Sequence, residues 1–365
     1  MSSTESPSPS PWPMRTVIHR RPGSPPEVLS FDKGLVPSLP TETSVLVRVS
    51  HVALHPGTII LMHLVPSLFR HFPAIAETDF SGVVVGAGAG VPTAADSSTR
   101  SFPSGTPVFG ALAEYIAIES SSIPQKPDNV SYAAASALGA SLYTAITLID
   151  AAKLPPRFRV LINAPCGGVG HFATQLLKHR DPEGHIVGIC SLHKETLAKQ
   201  LGCDEVIDYK AFPNSEHRSL AEYLTSWYGS TAEDKFDAIF DAYGSQDLWE
   251  SSPGYLKSGK NHVYATVGPK VGCTYSAILG FLWKMAKNTI WPPALLGGVP
   301  RVYRQISAFL DTDGLEKCRE VAVDGSVKAY LGGVWEMEEM MLAYKELTGG
   351  HAQGKLVIKV WDPEN

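Results

Sequence analysis

The sequence predicts an α/β protein in which a doubly wound parallel sheet is inserted into a β-rich domain. Three observations carry that expectation. The early part of the chain holds Val- and Leu-rich strand signals with few helical ones, whereas after Asn129 strand and helix signals alternate. Buried-looking strands that alternate with helices build parallel sheets covered on both faces. A small-residue turn between a strand and a helix, within Arg159–Lys178, then marks the kind of loop on which such sheets bind dinucleotides. A length of 365 residues accommodates about two domains.

Composition narrows the class. Charged residues make up 18% and hydrophobic ones 44%, which permits a sizeable core and excludes wholesale disorder. A net charge of -5 excludes a general nucleic-acid binder, which needs a basic face. The five cysteines form no C-x-x-C pair and are odd in number, so a reducing compartment fits better than a disulfide framework or a zinc knot. No apolar run reaches the roughly 18 to 20 residues that span a bilayer, and a cytoplasmic location is expected.

Residues 1–13 are Ser/Pro-rich, without a basic start or an apolar core, and are expected to form a disordered leader. Strands are expected at Ser44–Leu54, Phe80–Val85 and Ala113–Ile118. The apolar stretch Ile59–Phe72 either packs on the core as a helix and loop, or lines an apolar substrate pocket or touches a membrane or carrier protein. Ser131 is a candidate N-cap for a helix running to Ala152. Strands then follow at Arg159–Asn163, Ile186–Cys190, Val206–Asp208, Ala238–Phe240 and His262–Thr266. Helices are expected at Val169–His179, Lys194–Gln200, Leu220–Tyr228 and Gln246–Leu256. The tail supplies a helix, a turn at Gly325, a helix around Met337–Leu347 and a strand at Lys355–Val360. The change of grammar places the boundaries near 128 and 296, giving one domain from 14–127 with 296–365 and an inserted domain at 128–295.

The inserted domain carries the most informative stretch. A strand ends at Asn163, and the small residues Ala164, Gly167, Gly168 and Gly170 surround a turn into a helix that opens at about Val169. Small residues there allow the tight turn, the close approach of a pyrophosphate and close helix–strand packing, while the helix N-terminus offers free N–H groups to phosphate. The glycines at Gly86, Gly88 and Gly90 follow a strand too, but Pro92 and a loop come next, so no helix dipole supports an anion there. Which dinucleotide is bound is read at the end of the second strand, where a carboxylate would accept the 2′-OH of NAD. Here the strand ends Cys190-Ser191, followed by Lys194, which offers a hydroxyl and an ammonium to a 2′-phosphate and favours NADPH.

Taken in order, several segments resemble the medium-chain dehydrogenase/reductase superfamily, nearest to its zinc-free quinone oxidoreductase and fungal trans-acting enoyl reductase branch. They are ETDFSGVV at Glu77–Val84, VFGALAEYIAI at Val108–Ile118, AASALGASLYTA at Ala134–Ala145, the glycine loop, LGCDEVIDY at Leu201–Tyr209, FDAIFDAYG at Phe236–Gly244 and GKLVIKV at Gly354–Val360. The resemblance implies a GroES-like β-rich catalytic domain plus a Rossmann-type doubly wound parallel sheet. It also implies that Ser191, Lys194 and Tyr209 surround a 2′-phosphate, that Thr144, Val267 and Gly268 lie near the nicotinamide, and that Lys355 reaches the cofactor. The positions matching the catalytic ligands of zinc-dependent members are His55, Thr78 and Ala140, so only one of the three required ligands is present and no metal is expected. The zinc-free branch commonly has Asn-Pro-x-Asp where this chain reads His55-Pro56-Gly57-Thr58, which removes the usual polar groups.

The chemistry that follows is NADPH-dependent, zinc-independent reduction of the C=C of an α,β-unsaturated carbonyl, of the kind found in polyketide and other secondary metabolism. His55 is the candidate general acid near neutral pH. A quinone is the alternative substrate, and a non-catalytic NADPH-binding protein is the alternative of another class. The expected partner is an apolar conjugated small molecule, free or delivered by a carrier protein, with the chain acting as monomer or homodimer. Pro269, just past His262–Thr266, would limit edge-to-edge pairing if that strand lay at a sheet edge.

Overall fold

The computed structural model describes residues 12–64, 72–92, 101–110, 112–212, 218–268, 275–290, 298–306 and 310–363. In chain order the strands are β1 (Pro13–His19), β2 (Ser30–Leu35), β3 (Ser44–Ala53), β4 (Ala74–Ile75), β5 (Asp79–Ala87), β6 (Pro107–Phe109), β7 (Tyr115–Glu119), β8 (Arg159–Asn163), β9 (His185–Cys190), β10 (Glu205–Asp208), β11 (Ala238–Asp241), β12 (Val263–Thr266), β13 (Val302–Gln305), β14 (Leu331–Glu336) and β15 (Lys355–Lys359). The helices are α1 (Pro25–Val28), α2 (Pro56–Leu64), α3 (Tyr132–Ser136), α4 (Gly139–Asp150), α5 (Gly170–Arg180), α6 (Glu195–Leu201), α7 (Leu220–Tyr228), α8 (Gln246–Glu250), α9 (Tyr275–Ile290), α10 (Thr312–Val323) and α11 (Met340–Thr348). The expected leader lies outside the described residues up to 11, and its last residue, Pro13, opens β1.

The chain divides into two compact units, Met1–Tyr143 with Phe309–Asn365, and Thr144–Ala308. Both divisions fall later than the change of grammar at 128 and 296. Helix α3 packs on β3 and β5 of the first unit, and β13 joins the parallel sheet of the second. A one-dimensional pattern does not register either of those non-local contacts.

The first unit is β-rich. One sheet runs β14-β15-β3-β5-β6, with β7 pairing to β3 off that path, and a second sheet runs β2-β1-β4. Strand β3 pairs antiparallel with β5, β7 and β15, so it is central and reads as an apolar run. Its Val45, Val47, Val49 and Val52 are all fully buried, together with Phe80, Val108, Leu356 and Ile358 from neighbouring strands. The expected helix Ser131–Ala152 is broken into α3 and α4. Ser131 does cap α3, accepting from the Ala134 N–H at 3.2 Å. At the break, the Asp79 carboxylate accepts from the Ala140 N–H at 3.3 Å and so caps α4 from another part of the chain. A Cβ on Gly139 would lie 2.8 Å from Asp79 Oδ1, so the helix restarts at a residue that lets the carboxylate approach.

The second unit is a six-stranded parallel sheet in the order β10-β9-β8-β11-β12-β13, which is the doubly wound arrangement with its reversal between β8 and β11. Its core holds Leu161, Val187, Ile239, Phe236, Trp249 and Tyr264. Strand β12 is interior and β13 takes the edge, so the edge restraint assigned to Pro269 does not apply to β12. The helix expected over Gln246–Leu256 stops at Glu250 and continues as a 3₁₀ turn at Ser252–Gly254, because Pro253 has no N–H for the helical ladder. Among the described residues, no helix is long and apolar enough to cross a membrane. The apolar stretch Ile59–Phe72 forms α2 up to Leu64, with Met62 buried in the core and Leu61 exposed; residues 65–71 lie outside the described residues.

Candidate functional site

The sequence-predicted residues fall into two groups, one in each unit. In the parallel-sheet unit, β8 ends at Asn163 and Ala164 turns the chain with φ 62°, a left-handed conformation that costs a non-glycine residue roughly 1 kcal/mol. The turn closes where the Gly167 N–H donates to the Ala164 carbonyl at 3.0 Å. Gly170 then opens α5, and a Cβ there would lie 2.0 Å from the Ala164 oxygen, so no other residue fits without moving the loop. Gly168 and Val169 complete the turn, half-buried, and the first amides of α5 lie at the end of the sheet where its strand order reverses.

The second strand ends beside this loop. Ala164 N–H donates to the Ile189 carbonyl at 3.0 Å, and Cys166 Sγ lies 3.6 Å from the Lys194 carbonyl. The Ser191 hydroxyl and the Tyr209 hydroxyl are 3.3 Å apart, and the Lys194 N–H donates to the Ser191 carbonyl at 2.8 Å. Ser191, Lys194 and Tyr209 are therefore gathered at the carboxyl ends of β9 and β10. No carboxylate ends β9. Three strands across the sheet from β9, β12 runs out into Val267 and Gly268, the latter with φ 98°. Thr144 lies half-buried on α4.

Sequence reasoning misses the group that organises this end of the sheet. Asp241, the last residue of β11, is buried. Its carboxylate accepts from Asn163 Nδ2 at 2.8 Å, from the Gly244 and Ser245 N–H groups at 2.9 and 2.7 Å, and from the Tyr264 hydroxyl at 2.7 Å. Thr266 Oγ1 also approaches it, at 3.4 Å, and in turn accepts from the Gly268 N–H at 3.1 Å. One side chain thus ties the ends of β8, β11 and β12 together. The signal was available, since an acid closing an apolar central strand has to find donors.

The second group lies in the β-rich unit. Lys355, expected at the cofactor, is buried, and its ammonium donates to the Leu54 carbonyl at 3.0 Å and to Ser141 Oγ at 3.1 Å, with Asp79 Oδ2 at 3.8 Å. That is the environment of a buried ion pair within the β-rich unit. Burial lowers the Lys355 pKa and raises that of Asp79, each opposed by the other's charge. Glu77 stands beside them with φ 62° and is itself buried. It accepts from the Tyr344 hydroxyl at 2.8 Å and from the His55 N–H at 3.2 Å, and Thr58 adds a side-chain hydrogen bond. Burial pushes its pKa up to about 7, in spite of the Tyr344 and Thr58 hydrogen bonds and the Lys355 charge.

His55 is held at the start of α2, where its Nδ1 accepts from the Gly57 N–H at 2.9 Å. That bond fixes the tautomer with the proton on Nε2. Burial of the ring, and then the Lys355 charge, push its pKa down to about 3. The imidazole is therefore neutral near pH 7, which removes the imidazolium that a general acid would need and leaves an Nε2–H hydrogen-bond donor. His51 lies apart from it against Ser50, whose Oγ is 2.7 Å from His51 Nδ1. The positions that match a zinc triad carry an imidazole, the exposed Thr78 hydroxyl and the Ala140 methyl, and among the described residues no three His, Cys, Asp or Glu side chains converge as a metal site. These residues do not fit a catalytic zinc.

Comparison with known proteins gives the lineage. A medium chain reductase from Acremonium sp, pydE, is 30% identical over 360 residues, covering 89% of this chain and 94% of that protein. This chain is a medium-chain dehydrogenase/reductase. The zinc-binding dehydrogenase family model matches residues 201–358 of this reductase. The trans-enoyl reductase poxH from Penicillium oxalicum is 28% identical, covering 86% of this chain and 89% of that one. The quinone oxidoreductase from Coxiella burnetii shares the fold, with a TM-score of 0.72 at 22% identity over 96% of this chain and all of that one. The protein is thus an oxidoreductase of a family that binds a nicotinamide cofactor. The glycine loop fits such a cofactor, since the Gly170 position admits no side chain and the α5 amides are presented to an anion.

Proposed function

We propose that this medium-chain reductase uses NADPH, without zinc, to reduce the C=C of an α,β-unsaturated carbonyl. The observation that carries the cofactor assignment is the grouping of Ser191, Lys194 and Tyr209 at the carboxyl ends of β9 and β10, with no carboxylate closing β9. Two hydroxyls and an ammonium suit a 2′-phosphate, whereas a ribose 2′-OH would want an acceptor there. The loop Ala164–Gly170 would hold the pyrophosphate with its backbone amides, and Val267 and Gly268 would flank the nicotinamide. When bound, the cofactor supplies a hydride to the β carbon of the substrate, and a solvent proton at the α carbon completes the reduction.

The chain's own contribution is polarisation and orientation. The neutral His55 donates from Nε2 to the substrate carbonyl, where negative charge grows as hydride arrives. Its backbone is pinned by the Glu77 carboxyl and its ring by the Gly57 amide, so the donor is fixed before the substrate binds. The likeness to a trans-enoyl reductase supports a conjugated enoyl substrate; we extend the reading to an apolar substrate of secondary metabolism, free or carrier-delivered, and to the cytoplasm as compartment. A quinone asks for the same hydride with equally little acid–base machinery.

The test is NADPH against NADH binding by fluorescence titration, followed by cofactor oxidation with enones and quinones. NADPH preference with enone turnover is the expected result. Turnover of quinones alone would move the assignment to the second substrate class, and equal affinity for the two nucleotides would remove the role of Lys194.

A further inference from the structure

The carboxyl end of the parallel sheet holds an amide side chain whose oxygen is left unpaired among the described residues. Gln305 is the last residue of β13, in register with Thr266 of β12. Its Nε2 donates to Met285 Sδ at 3.4 Å, while its Oε1 is buried and accepts no hydrogen bond among the described residues. Leaving a buried carbonyl oxygen unpaired costs roughly 1 to 3 kcal/mol. A methionine or leucine would fill the same space without that cost.

The surroundings are shaped to this side chain. Gly268 takes φ 98°, and a Cβ there would lie 2.8 Å from Gln305 Nε2 and 3.0 Å from its Cδ. The Gly268 N–H is tied to Thr266 Oγ1 at 3.1 Å and the Ile306 N–H to the Thr266 carbonyl at 2.8 Å, so the backbone around the amide is already paired. Thr266 is also the residue that leans on Asp241, the side chain that ties the ends of β8, β11 and β12. The amide group therefore packs against Gly268, just past the end of β12, with its oxygen unpaired among the described residues.

We infer that Gln305 binds the carboxamide of the nicotinamide ring and so sets the orientation of the ring. The inference rests on the nicotinamide-nucleotide reading of this unit. Gln305 Oε1 accepts from the carboxamide NH₂ while Nε2 stays on Met285 Sδ, so the contact reads the NH₂ of the carboxamide. An aliphatic side chain at this position could pack against the ring but could not tell the amide edge from the rest of it.

Three ligands and two variants test it. Adenosine 2′,5′-bisphosphate carries the phosphate end alone, NADPH carries both ends, and the reduced 3-acetylpyridine analogue of NADPH replaces the carboxamide NH₂ by methyl. The native protein should bind NADPH roughly tenfold more tightly than the acetyl analogue, the worth of one buried hydrogen bond. Gln305→Met should abolish that discrimination and leave binding of the bisphosphate unchanged. Gln305→Glu, which keeps an acceptor, should retain most of it. Full discrimination in Gln305→Met would overturn the inference, as would its loss in Gln305→Glu while the bisphosphate still binds; the second variant decides if the first does not fold. Failure of the native protein to bind the bisphosphate would instead sink the cofactor reading beneath it.

Discussion

The two candidate regions of this reductase are built from opposite materials. At the end of the parallel sheet, the nucleotide loop is made of backbone, with Gly167 and Gly170 chosen for the side chains they lack. In the β-rich unit, the cluster around Lys355 is made of charged side chains enclosed by the fold. Backbone amides come already paired with the geometry of the turn and carry no titration. Buried charges must balance one another, so each member depends on all the others and on pH. Substitutions should therefore act on binding in the first region and on stability in the second.

The largest effect is expected at Lys355. Lys355→Ala leaves Asp79 and Glu77 in the core without their cation, and removing one member of a buried pair costs about 3 to 5 kcal/mol. The denaturant midpoint should fall accordingly. A drop of less than about 1 kcal/mol would mean that water already reaches the cluster. Gly170→Ala is the corresponding break in the first region. A methyl group 2.0 Å from the Ala164 oxygen has to push the loop off its turn, so nucleotide affinity should fall by two orders of magnitude or so while the melting temperature moves much less. Titration and a thermal melt on the same sample separate the two readouts.

That contrast also explains what was legible in the sequence. The glycine loop, and the hydroxyl and ammonium after β9, are local patterns, and the strand–turn–helix context identifies them without any tertiary information. Ser131 as a cap is equally local. The helix break at Ala137–Leu138 was not legible, because it follows from a carboxylate, Asp79, that arrives from a strand far back in the chain. Lys355 reads as a cofactor residue in the closing motif, and only the pairing of β15 with β3 turns it toward Asp79. Glu77 carries no sequence signal for φ 62°, a conformation that ordinarily selects glycine. His55 was found by residue type, but its charge state depends on burial and on Lys355.

A smaller effect, and one that changes sign, is expected from Glu77→Gln. The folded pKa of Glu77 is about 7, raised from 4.5, so the folded state holds the proton more tightly and this group's contribution to stability is lost as pH climbs from about 4.5 through about 7. His55 and His51 are lowered from 6.5 to about 3 and about 4, so they act the other way and their contribution is lost as pH falls below 6.5. The slopes oppose each other between about 4.5 and 6.5. Glu77→Gln removes one of them and should steepen the rise of stability with pH. The variant should be the less stable protein at pH 5, by about 1 kcal/mol for an amide placed where the His55 N–H needs an acceptor, and equal or more stable at pH 8. Parallel stability curves for the two proteins from pH 5 to 8 would show that Glu77 does not titrate in this range.

A further predicted effect, comparable in size, bears on the backbone-built region. Lys194 is only 9% exposed, so its methylenes pack, and Lys194→Met keeps that packing while deleting the charge. A 2′-phosphate carries close to two negative charges at neutral pH, and one lost charge-assisted contact should weaken NADPH about tenfold while leaving NADH nearly unchanged. The loss should shrink as salt is raised, because screening weakens the native contact and has nothing to act on in the variant. Ser191→Asp adds the complement, a carboxylate at the end of β9 that repels the 2′-phosphate and accepts a ribose hydroxyl. If both substitutions move NADPH and NADH affinities together, the residues shape the loop instead of reading the phosphate, and discrimination between the nucleotides would have to come from the Tyr209 side of the site.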